Sequence, residues 1–242
     1  MRNNRILVKS KINLDQSIAI AGDPFRHLIH VLRLGIGDSF IAFDGSGNDY
    51  FARIEKIFKQ SCVVKIEKIT CIEKKINLQI GLAIGISKGT KMDFVIQKAV
   101  ELGVSSITPL FTEHSQIKLK ESRLQNKLKR WEIIINSACE QSGRSRLPKL
   151  ISPMHLTQWL QAYPGLGLLL DTDGKVSPKD IPQPSEDLSL LVGPEGGLSV
   201  FEKNEALKYG LISIRLGPRV LRTETAPIAA ISVFQNLWGD FN

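Results

Sequence analysis

The sequence predicts an α/β protein built from a small N-terminal β-barrel and a larger C-terminal domain around a mostly parallel sheet. Short strand-like segments follow one another closely up to about residue 72, a pattern typical of a small barrel. From residue 76 onward, apolar strand-like runs alternate with helical patterns, as α/β domains require. The 242 residues, of which 43% are hydrophobic, suffice for a sizeable core. We therefore expect domains at 1–72 and 73–242, joined by the polar stretch 70–75.

The N-terminal part contains four strand candidates and one short helix. The strand candidates lie at 5–9, 38–44, 50–58 and 61–69. Gly45–Asn48 has the composition of a turn and separates the second strand from the third. The helix is predicted over 24–32, with Asp23 as its N-cap and Pro24 as its first residue, because proline's fixed φ suits that position.

The C-terminal part reads as alternating strands and helices. Short apolar runs predict buried strands at 76–84, 106–110, 167–170, 188–192 and 212–216. Apolar residues three and four apart predict helices at 91–102, 124–138, 201–208 and 226–237. Ser199 and Glu202 form a capping box before the third of these helices. Pro227 fits the last helix only within its first turn.

Composition narrows the class of protein. Lys and Arg number 32 against 24 Asp and Glu, and the resulting charge of +8 favours a polyanionic partner, RNA or DNA. Three widely spaced cysteines fit neither a disulfide framework nor a zinc site, so a reducing cytoplasm is expected. No apolar run is as long as a membrane span, and the first five residues do not resemble a signal peptide. His27 and His30 lack a third ligand nearby, so we predict no metal.

The first candidate site is the loop Gly193–Gly197, which follows an apolar strand and precedes a capped helix. Ligands bind at the carboxyl ends of parallel strands, and adjacent glycines let the main chain approach a ligand closely. Leu198 stands where a phosphate-binding P-loop needs Lys, and the chain has no Gly-x-Gly-x-x-Gly pattern. Taken alone, the loop fits either a tight turn or a backbone cradle.

The second candidate site is Leu216–Pro227, which also follows a strand. Within six residues it contains Arg219, Arg222 and Glu224, a combination suited to binding an anion or orienting a proton acceptor. An Arg–Glu pair with threonine caps at a helix start would explain the segment equally well in isolation. Two such loops at strand ends favour a functional site.

The two loops resemble those of the SPOUT methyltransferases, and within them the ribosomal RNA small subunit methyltransferase E family. The resemblance covers essentially the whole chain. It rests first on Val192–Gly197 and Leu216–Ala226. Further similar segments are His27-Leu28, Val31–Arg33, Gly37-Asp38, Asp44-Gly45, Lys98–Val104 and Glu140–Arg144. Pro227 departs from the family pattern, where alanine is more usual, and is expected to alter only the first turn of the last helix.

The resemblance implies a fold and a cofactor. The C-terminal chain would form a deep trefoil knot that binds S-adenosylmethionine in a bent form and releases S-adenosylhomocysteine. The N-terminal barrel would be PUA-like and bind RNA, and the protein would be a cytoplasmic homodimer with no membrane or DNA partner. The implied cofactor-binding residues are Leu170, Asp171, Val192, Gly193, Pro194, Glu195, Gly196, Gly197, Leu216, Gly217, Val220, Leu221 and Thr225.

The resemblance also implies a reaction, methylation of N3 of a specific uridine in the 16S rRNA of the small ribosomal subunit. Uracil N3 needs a proton acceptor and stabilisation of charge on O2 and O4. Arg222 is the candidate charge stabiliser, and Glu224 the candidate proton acceptor or partner of that arginine. The candidate phosphate contacts are Lys9, Arg26, Arg33, Lys88 and Arg144. A methyltransferase acting on tRNA or 23S rRNA and a non-catalytic RNA-binding assembly factor are the alternatives.

Overall fold

A computed structural model describes residues 4–73, 78–115, 121–185 and 187–241. The chain divides into two units. The first comprises Met1–Lys75 and Asn136–Leu147, and the second comprises Ile76–Ile135 and Pro148–Asn242. Residues 136–147, which the sequence placed within the C-terminal domain, thus group with the N-terminal part.

A five-stranded sheet that forms a half-barrel dominates the first unit. Its strands are β1 (Arg5–Leu7), β2 (Ser17–Ala21), β3 (Ser39–Phe43), β4 (Asn48–Ile57) and β5 (Ser61–Ile72). The order is β1-β3-β4-β5-β2; β1 pairs with β3 in parallel, and the other neighbours are antiparallel. The sequence predicted four of these strands. It missed β2, whose five residues contain only two buried isoleucines.

The predicted N-terminal helix forms with a different start and a change in winding. Helix α1 (Gly22–Arg26) begins directly after β2 with Ala21 as its N-cap, so the expectation of Asp23 at the N-cap was wrong. Pro24 is the third residue of the helix and not the first. A π-helical turn, His27–Val31, continues the helix and buries Leu28 in the core of the sheet.

Polar contacts attach residues 136–147 to the first sheet. The Arg5 guanidinium donates to the Asp49 carboxylate, to the Ser145 hydroxyl and to the Arg144 carbonyl. The Glu73 carboxylate accepts the backbone N–H groups of Ser145 and Arg146 at 2.5 and 2.6 Å. Because Arg5 and Asp49 are nearly buried, each depends on the other for compensation of its charge.

The second unit is built on a parallel seven-stranded sheet. Its strands are β6 (Gln79–Gly85), β7 (Ser106–Phe111), β8 (Lys149–Leu150), β9 (Met154–His155), β10 (Leu166–Leu170), β11 (Asp187–Val192) and β12 (Ile212–Ile214). The order is β12-β10-β11-β6-β7-β8, and β9 also pairs with β7. The predicted mostly parallel α/β sheet is confirmed. The two-residue strands β8 and β9 are too short for a periodicity to show.

Helices connect these strands. They are α2 (Lys91–Glu101), α3 (Glu121–Ser142), α4 (Leu156–Leu160), α5 (Val200–Lys208) and α6 (Thr225–Trp238), with a 3-10 turn at Pro178–Asp180. Helix α3 is longer at both ends than predicted, and α4 was missed. Pro227 is the third residue of α6, within the first turn as expected. Helix α6 packs against α2 and β11.

Two predicted boundaries shift. The expected linker 70–75 begins inside β5, which extends to Ile72, and residues 74 and 75 lie outside the described residues. The expected strand at 76–84 is observed as Gln79–Gly85, and residues 76 and 77 likewise lie outside them. Of the described helices, none is both long and apolar enough to cross a membrane.

Candidate functional site

Three neighbouring strands end at one edge of the second sheet and open a cleft there. The order β12-β10-β11 brings together the loops that begin at Asp171, Gly193 and Arg215. The cleft has a volume of about 290 Å³. It lies at the carboxyl ends of parallel strands, where ligands of α/β proteins bind.

The loop after β11 turns tightly through its glycines. The Gly197 N–H donates to the Pro194 carbonyl at 2.8 Å, and Gly197 has a φ of +70°, which favours glycine. A Cβ on Gly193 would lie 2.9 Å from the Gly197 carbonyl carbon and the Leu198 nitrogen. The loop therefore folds closely on itself and presents main chain to the cleft.

Glu195 fastens this loop to the segment after β6. Its carboxylate accepts the Lys88 N–H at 3.2 Å and lies 3.5 Å from the Lys91 ammonium. Burial raises the pKa of Glu195, but hydrogen bonds from its own N–H, from Lys88 and from Ser87, together with the Lys91 charge, lower the pKa below its usual value overall. Glu195 is thus held ionised as a structural tie between two loops.

The loop after β12 is shaped by an arginine that turns back on it. The Arg215 guanidinium donates to the carbonyls of Gly217 and Pro218 at 2.9 and 3.3 Å. Gly217 has a φ of +80°, again in the region that favours glycine. Arg215 therefore fixes the first turn of this loop, and Val220 beyond it is 80% exposed.

The third loop carries an ion pair into the cleft. The Asp171 carboxylate accepts the Lys203 ammonium of α5 at 2.7 Å, and both side chains line the cleft. This hydrogen bond raises the pKa of Lys203 above its usual value, against an opposing effect of burial. Asp171 is the less exposed partner, so Lys203 fixes the orientation of a carboxylate at the cleft wall.

The structure brings most of the predicted cofactor residues together. The predicted residues that line the cleft are Leu170, Asp171, Val192, Gly193, Pro194, Glu195, Gly196, Gly197, Leu216, Val220 and Leu221. Gly217 and Thr225 do not line it, although their chain neighbours Leu216 and Ala226 do. Gly217 instead provides the turn that the loop needs, and Thr225 begins α6.

Arg222 and Glu224 follow the cleft residues and lie at the start of α6. Their side chains approach to 3.9 Å, with Arg222 83% exposed and Glu224 18% exposed. The second carboxylate oxygen of Glu224, Oε2, is buried and accepts no hydrogen bond from the residues that the structure describes. The Arg222 carbonyl accepts the N–H groups of Thr225 and Ala226, which fixes the backbone between the two side chains.

Sequence reasoning missed several polar residues of the site. Lys203 and Arg215 line the cleft, and no pattern had singled them out, whereas Arg219, which also lines it, was part of the second candidate site. His114, for which the sequence gave no role, places its Nδ1 at 3.0 and 3.2 Å from the Gly196 and Gly197 carbonyls. No signal in the sequence could have indicated His114, because it lies 82 residues from Gly196 along the chain.

The candidate RNA contacts lie in both units. Lys9, Arg26 and Arg33 are exposed in the first unit, where Arg26 pairs with Asp23 at 2.9 Å and Arg33 has a φ of +57°. Lys88 is exposed in the second unit. Arg144, expected in the catalytic domain, belongs to the first unit and is partly buried.

The described residues contain no group of three His, Cys, Asp or Glu side chains arranged to hold a metal ion. His30 packs edge-on against the Phe25 ring at 5.6 Å between centroids.

Comparison with known proteins identifies the family. Residues 74–235 match the model of an RNA methyltransferase domain, and residues 20–67 match that of an RNA methyltransferase PUA domain. The chain is 35% identical to the ribosomal RNA small subunit methyltransferase E of Buchnera aphidicola from Acyrthosiphon pisum over 98% of this chain and 94% of that protein. The chain belongs to the ribosomal RNA small subunit methyltransferase E family.

Solved structures of similar proteins agree with this family. A methyltransferase of Legionella pneumophila, solved in complex with the cofactor S-adenosylmethionine, is 37% identical with a TM-score of 0.95 over all of both chains. A ribosomal RNA small subunit methyltransferase E of Neisseria gonorrhoeae, also bound to S-adenosylmethionine, is 34% identical with a TM-score of 0.93 over all of both chains. The resemblance carried by the loops at 192–197 and 216–226 is thereby confirmed.

Proposed function

We propose that the chain transfers a methyl group from S-adenosylmethionine to N3 of a specific uridine in the 16S rRNA of the small ribosomal subunit. The observation that carries this proposal is the cleft at the ends of β10, β11 and β12. It is lined by the two loops through which the chain resembles its family, in a fold that superposes on a family member bound to S-adenosylmethionine.

The cleft suits this cofactor by its composition. Apolar side chains of Leu169, Leu198 and Val220 line it and offer surface to an adenine ring. Main-chain groups of Gly193–Gly197 can hydrogen-bond to the edge of the base and to the ribose. The Asp171 carboxylate, held by Lys203, is an acceptor for hydroxyl groups. When bound, S-adenosylmethionine supplies an electrophilic methyl group on a sulfonium, and S-adenosylhomocysteine is the product.

The chain's own residues would prepare the uracil. Bond formation between N3 and the methyl carbon requires that the N3 proton leave and that negative charge on O2 and O4 be stabilised. We assign the donation to those oxygens to Arg222, which is exposed and permanently charged. One carboxylate oxygen of Glu224 has no hydrogen-bond donor among the described residues, which suits it to accept the proton or to orient Arg222.

The RNA would reach the cleft with the target base unpaired or flipped out, because N3 lies on the Watson–Crick edge. Lys9, Arg26, Arg33, Lys88 and Arg144 are the proposed phosphate contacts. The trefoil knot, the homodimer and the cytoplasmic location that the resemblance implied remain predictions of this proposal.

The test is methylation of rRNA from a strain that lacks the enzyme, followed by mapping of the modified base. We expect one N3-methyluridine in 16S rRNA, which appears only with S-adenosylmethionine present. The reaction is run on naked rRNA and on isolated small subunits to find which one is the substrate. Methylation of tRNA or 23S rRNA instead would assign another substrate. Tight binding of S-adenosylmethionine without transfer to any RNA would contradict the proposed activity.

A further inference from the structure

The outward face of the β4–β5 hairpin carries an aromatic ring among cationic side chains. Strand alternation turns Tyr50, Ala52 and Ile54 into the core and leaves Phe51 and Arg53 on the opposite face. In the antiparallel register Lys68 lies across from Phe51, and Lys65 lies across from Arg53. Both lysines are exposed, and Phe51 is partly exposed.

Arg53 is held in one orientation on this face. Its Nε donates to the Glu67 carboxylate at 2.7 Å, and its Nη1 donates to the Gly37 carbonyl at 2.9 Å. The hydrogen bond to Glu67 raises the pKa of Arg53 above its usual value. The Arg53 side chain nevertheless remains 46% exposed, so an oriented guanidinium plane faces solvent. A fixed plane loses little conformational entropy when a ligand stacks on it.

Phe51 has two cations against its ring. The Arg53 guanidinium carbon lies 5.7 Å and the Lys68 ammonium 5.6 Å from the ring centroid. Glu67 pairs with Arg53, and Glu55 accepts a hydrogen bond from Ser17, which lies across from Lys65. Arg53, Lys65 and Lys68 outnumber these two carboxylates, so the patch keeps an excess of positive charge. Flat ring and guanidinium surfaces beside lysines match single-stranded nucleic acid, whose bases stack on such planes while cations attract its phosphates.

We propose that Phe51, Arg53, Lys65 and Lys68 form a stacking surface for an unpaired segment of RNA. The proposal rests on the proposed function for its choice of RNA as partner. Its residues differ from those that line the cleft and from the phosphate contacts named above. In it, Phe51 and Arg53 stack on bases, and the two lysines contact the phosphates beside them.

The test measures binding of the full chain to a single-stranded RNA oligonucleotide that contains one 2-aminopurine, by fluorescence anisotropy and by quenching of the 2-aminopurine. Phe51→Leu, which keeps an apolar side chain but removes the ring, is expected to weaken binding by about 5- to 150-fold, the range for loss of one base–aromatic stack. It is also expected to reduce the quenching. Phe51→Trp is expected to retain both signals.

The salt dependence of RNA binding distinguishes phosphate contacts from base stacking. Lys68→Ala is expected to make the slope of log affinity against log salt shallower by about 0.7, the value for one phosphate contact to a single strand. Phe51→Leu is expected to leave that slope unchanged. Arg53→Lys keeps the charge but loses the plane, so it should behave like Phe51→Leu. Lys59→Ala, in the exposed turn between β4 and β5, is the matched control and should change neither signal.

Several outcomes would overturn the proposal. Unchanged affinity and quenching in a natively folded Phe51→Leu protein would show that the ring does not stack on a base. Should Phe51→Leu not fold, Phe51→Ile, which also lacks a ring and suits a strand, takes its place, and wild-type quenching in it would equally exclude stacking by the ring. Wild-type quenching in Arg53→Lys would exclude stacking by the guanidinium. Competition by poly-glutamate as effective as by unlabelled RNA would indicate simple charge attraction to an acidic chain. Methyl transfer by the wild-type protein is assayed in parallel. The binding data test the stacking surface and the transfer assay tests the proposed activity, so either proposal can be refuted without the other.

Discussion

The charge of Arg222 contributes little to the stability of the fold and is free to interact with a substrate. Its side chain is 83% exposed, and its ion pair with Glu224 spans 3.9 Å. Exposed pairs at such distances contribute little to stability. The proposed role of this permanently charged donor, whose chain neighbours Leu221 and Thr223 line the cleft, is to stabilise charge that develops on the base.

Arg222→Ala is therefore expected to lower the methylation rate by at least about a hundredfold, as removal of one donor to a developing oxyanion does. S-Adenosylmethionine affinity, measured by calorimetric titration, and the urea unfolding midpoint should stay unchanged. The exposed Arg219→Ala, in the same loop, serves as a comparison for loss of charge at the cleft. Unchanged turnover in Arg222→Ala would refute the role given to this residue.

Individual site residues were predictable where the sequence constrains the backbone. The glycines at 193, 196 and 197 were found because few other residues allow such a loop, and the structure brings them to one cleft with Leu216, Val220 and Leu221. Lys203 and His114 were not found, because a single lysine or histidine gives no signal until the fold places it beside a loop. Their partners, Asp171 and the Gly196 carbonyl, lie 32 and 82 residues away in sequence.

The last residues of the strands determine where the loops of the cleft can lie. Gly85 ends β6, next to β11, and a Cβ at this position would lie 2.5 Å from Pro194 Cδ and 2.6 Å from Pro194 N. Real side chains do not approach so closely, so the absence of a side chain at 85 lets the loop Gly193–Gly197 take its position. This requirement is steric and does not depend on an unusual φ.

Gly85→Ala is expected to displace Pro194 and so weaken S-adenosylmethionine binding at least tenfold, measured by calorimetry. Overpacking should also cost about 1–3 kcal/mol of unfolding free energy, measured with urea. Gly35→Ala is the matched control, since the nearest atom to its Cβ would be Asp38 Oδ2 at an ordinary 3.7 Å. Wild-type affinity in Gly85→Ala would mean that the loop tolerates a shift and is not positioned by this contact.

Helices and strands were predicted well where their sequence patterns are long. They were predicted poorly where contacts with residues distant in sequence determine the structure. The capping box of α5 formed as expected: the Ser199 hydroxyl accepts the Glu202 N–H at 3.2 Å, and the Glu202 carboxylate accepts the Ser199 N–H at 3.0 Å. The π-helical turn at His27–Val31 has no sequence signature that separates it from an α-helix. The grouping of 136–147 with the first unit depends on Arg5, Asp49 and Glu73, which are distant in sequence.

The molecule as a whole combines a cleft whose charged residues are of both signs with a basic chain. In the proposed function, the cofactor binds mainly to backbone and apolar groups of a few loops, whereas RNA binds to many dispersed cations. Any one exposed lysine can be explained as a solvated surface residue just as well as by a contact with RNA. The argument for RNA binding therefore depends on the collective charge of +8. The two ligands should therefore respond differently to ionic strength.

Affinity for rRNA is expected to fall steeply with salt because each neutralised phosphate releases condensed counterions. The five proposed phosphate contacts, made to single-stranded RNA, give a log–log slope of about −3.5, which means a roughly 130-fold loss between about 50 and about 200 mM salt. S-Adenosylmethionine affinity of the same protein, measured over the same range, should change much less and controls for general effects of salt on the fold. A flat response of RNA binding would mean that base stacking and shape, not phosphate contacts, dominate the interface. In that event the cationic surfaces of Lys9, Arg26 and Arg33 would be solvated faces, and the aromatic surface at Phe51 would carry the recognition.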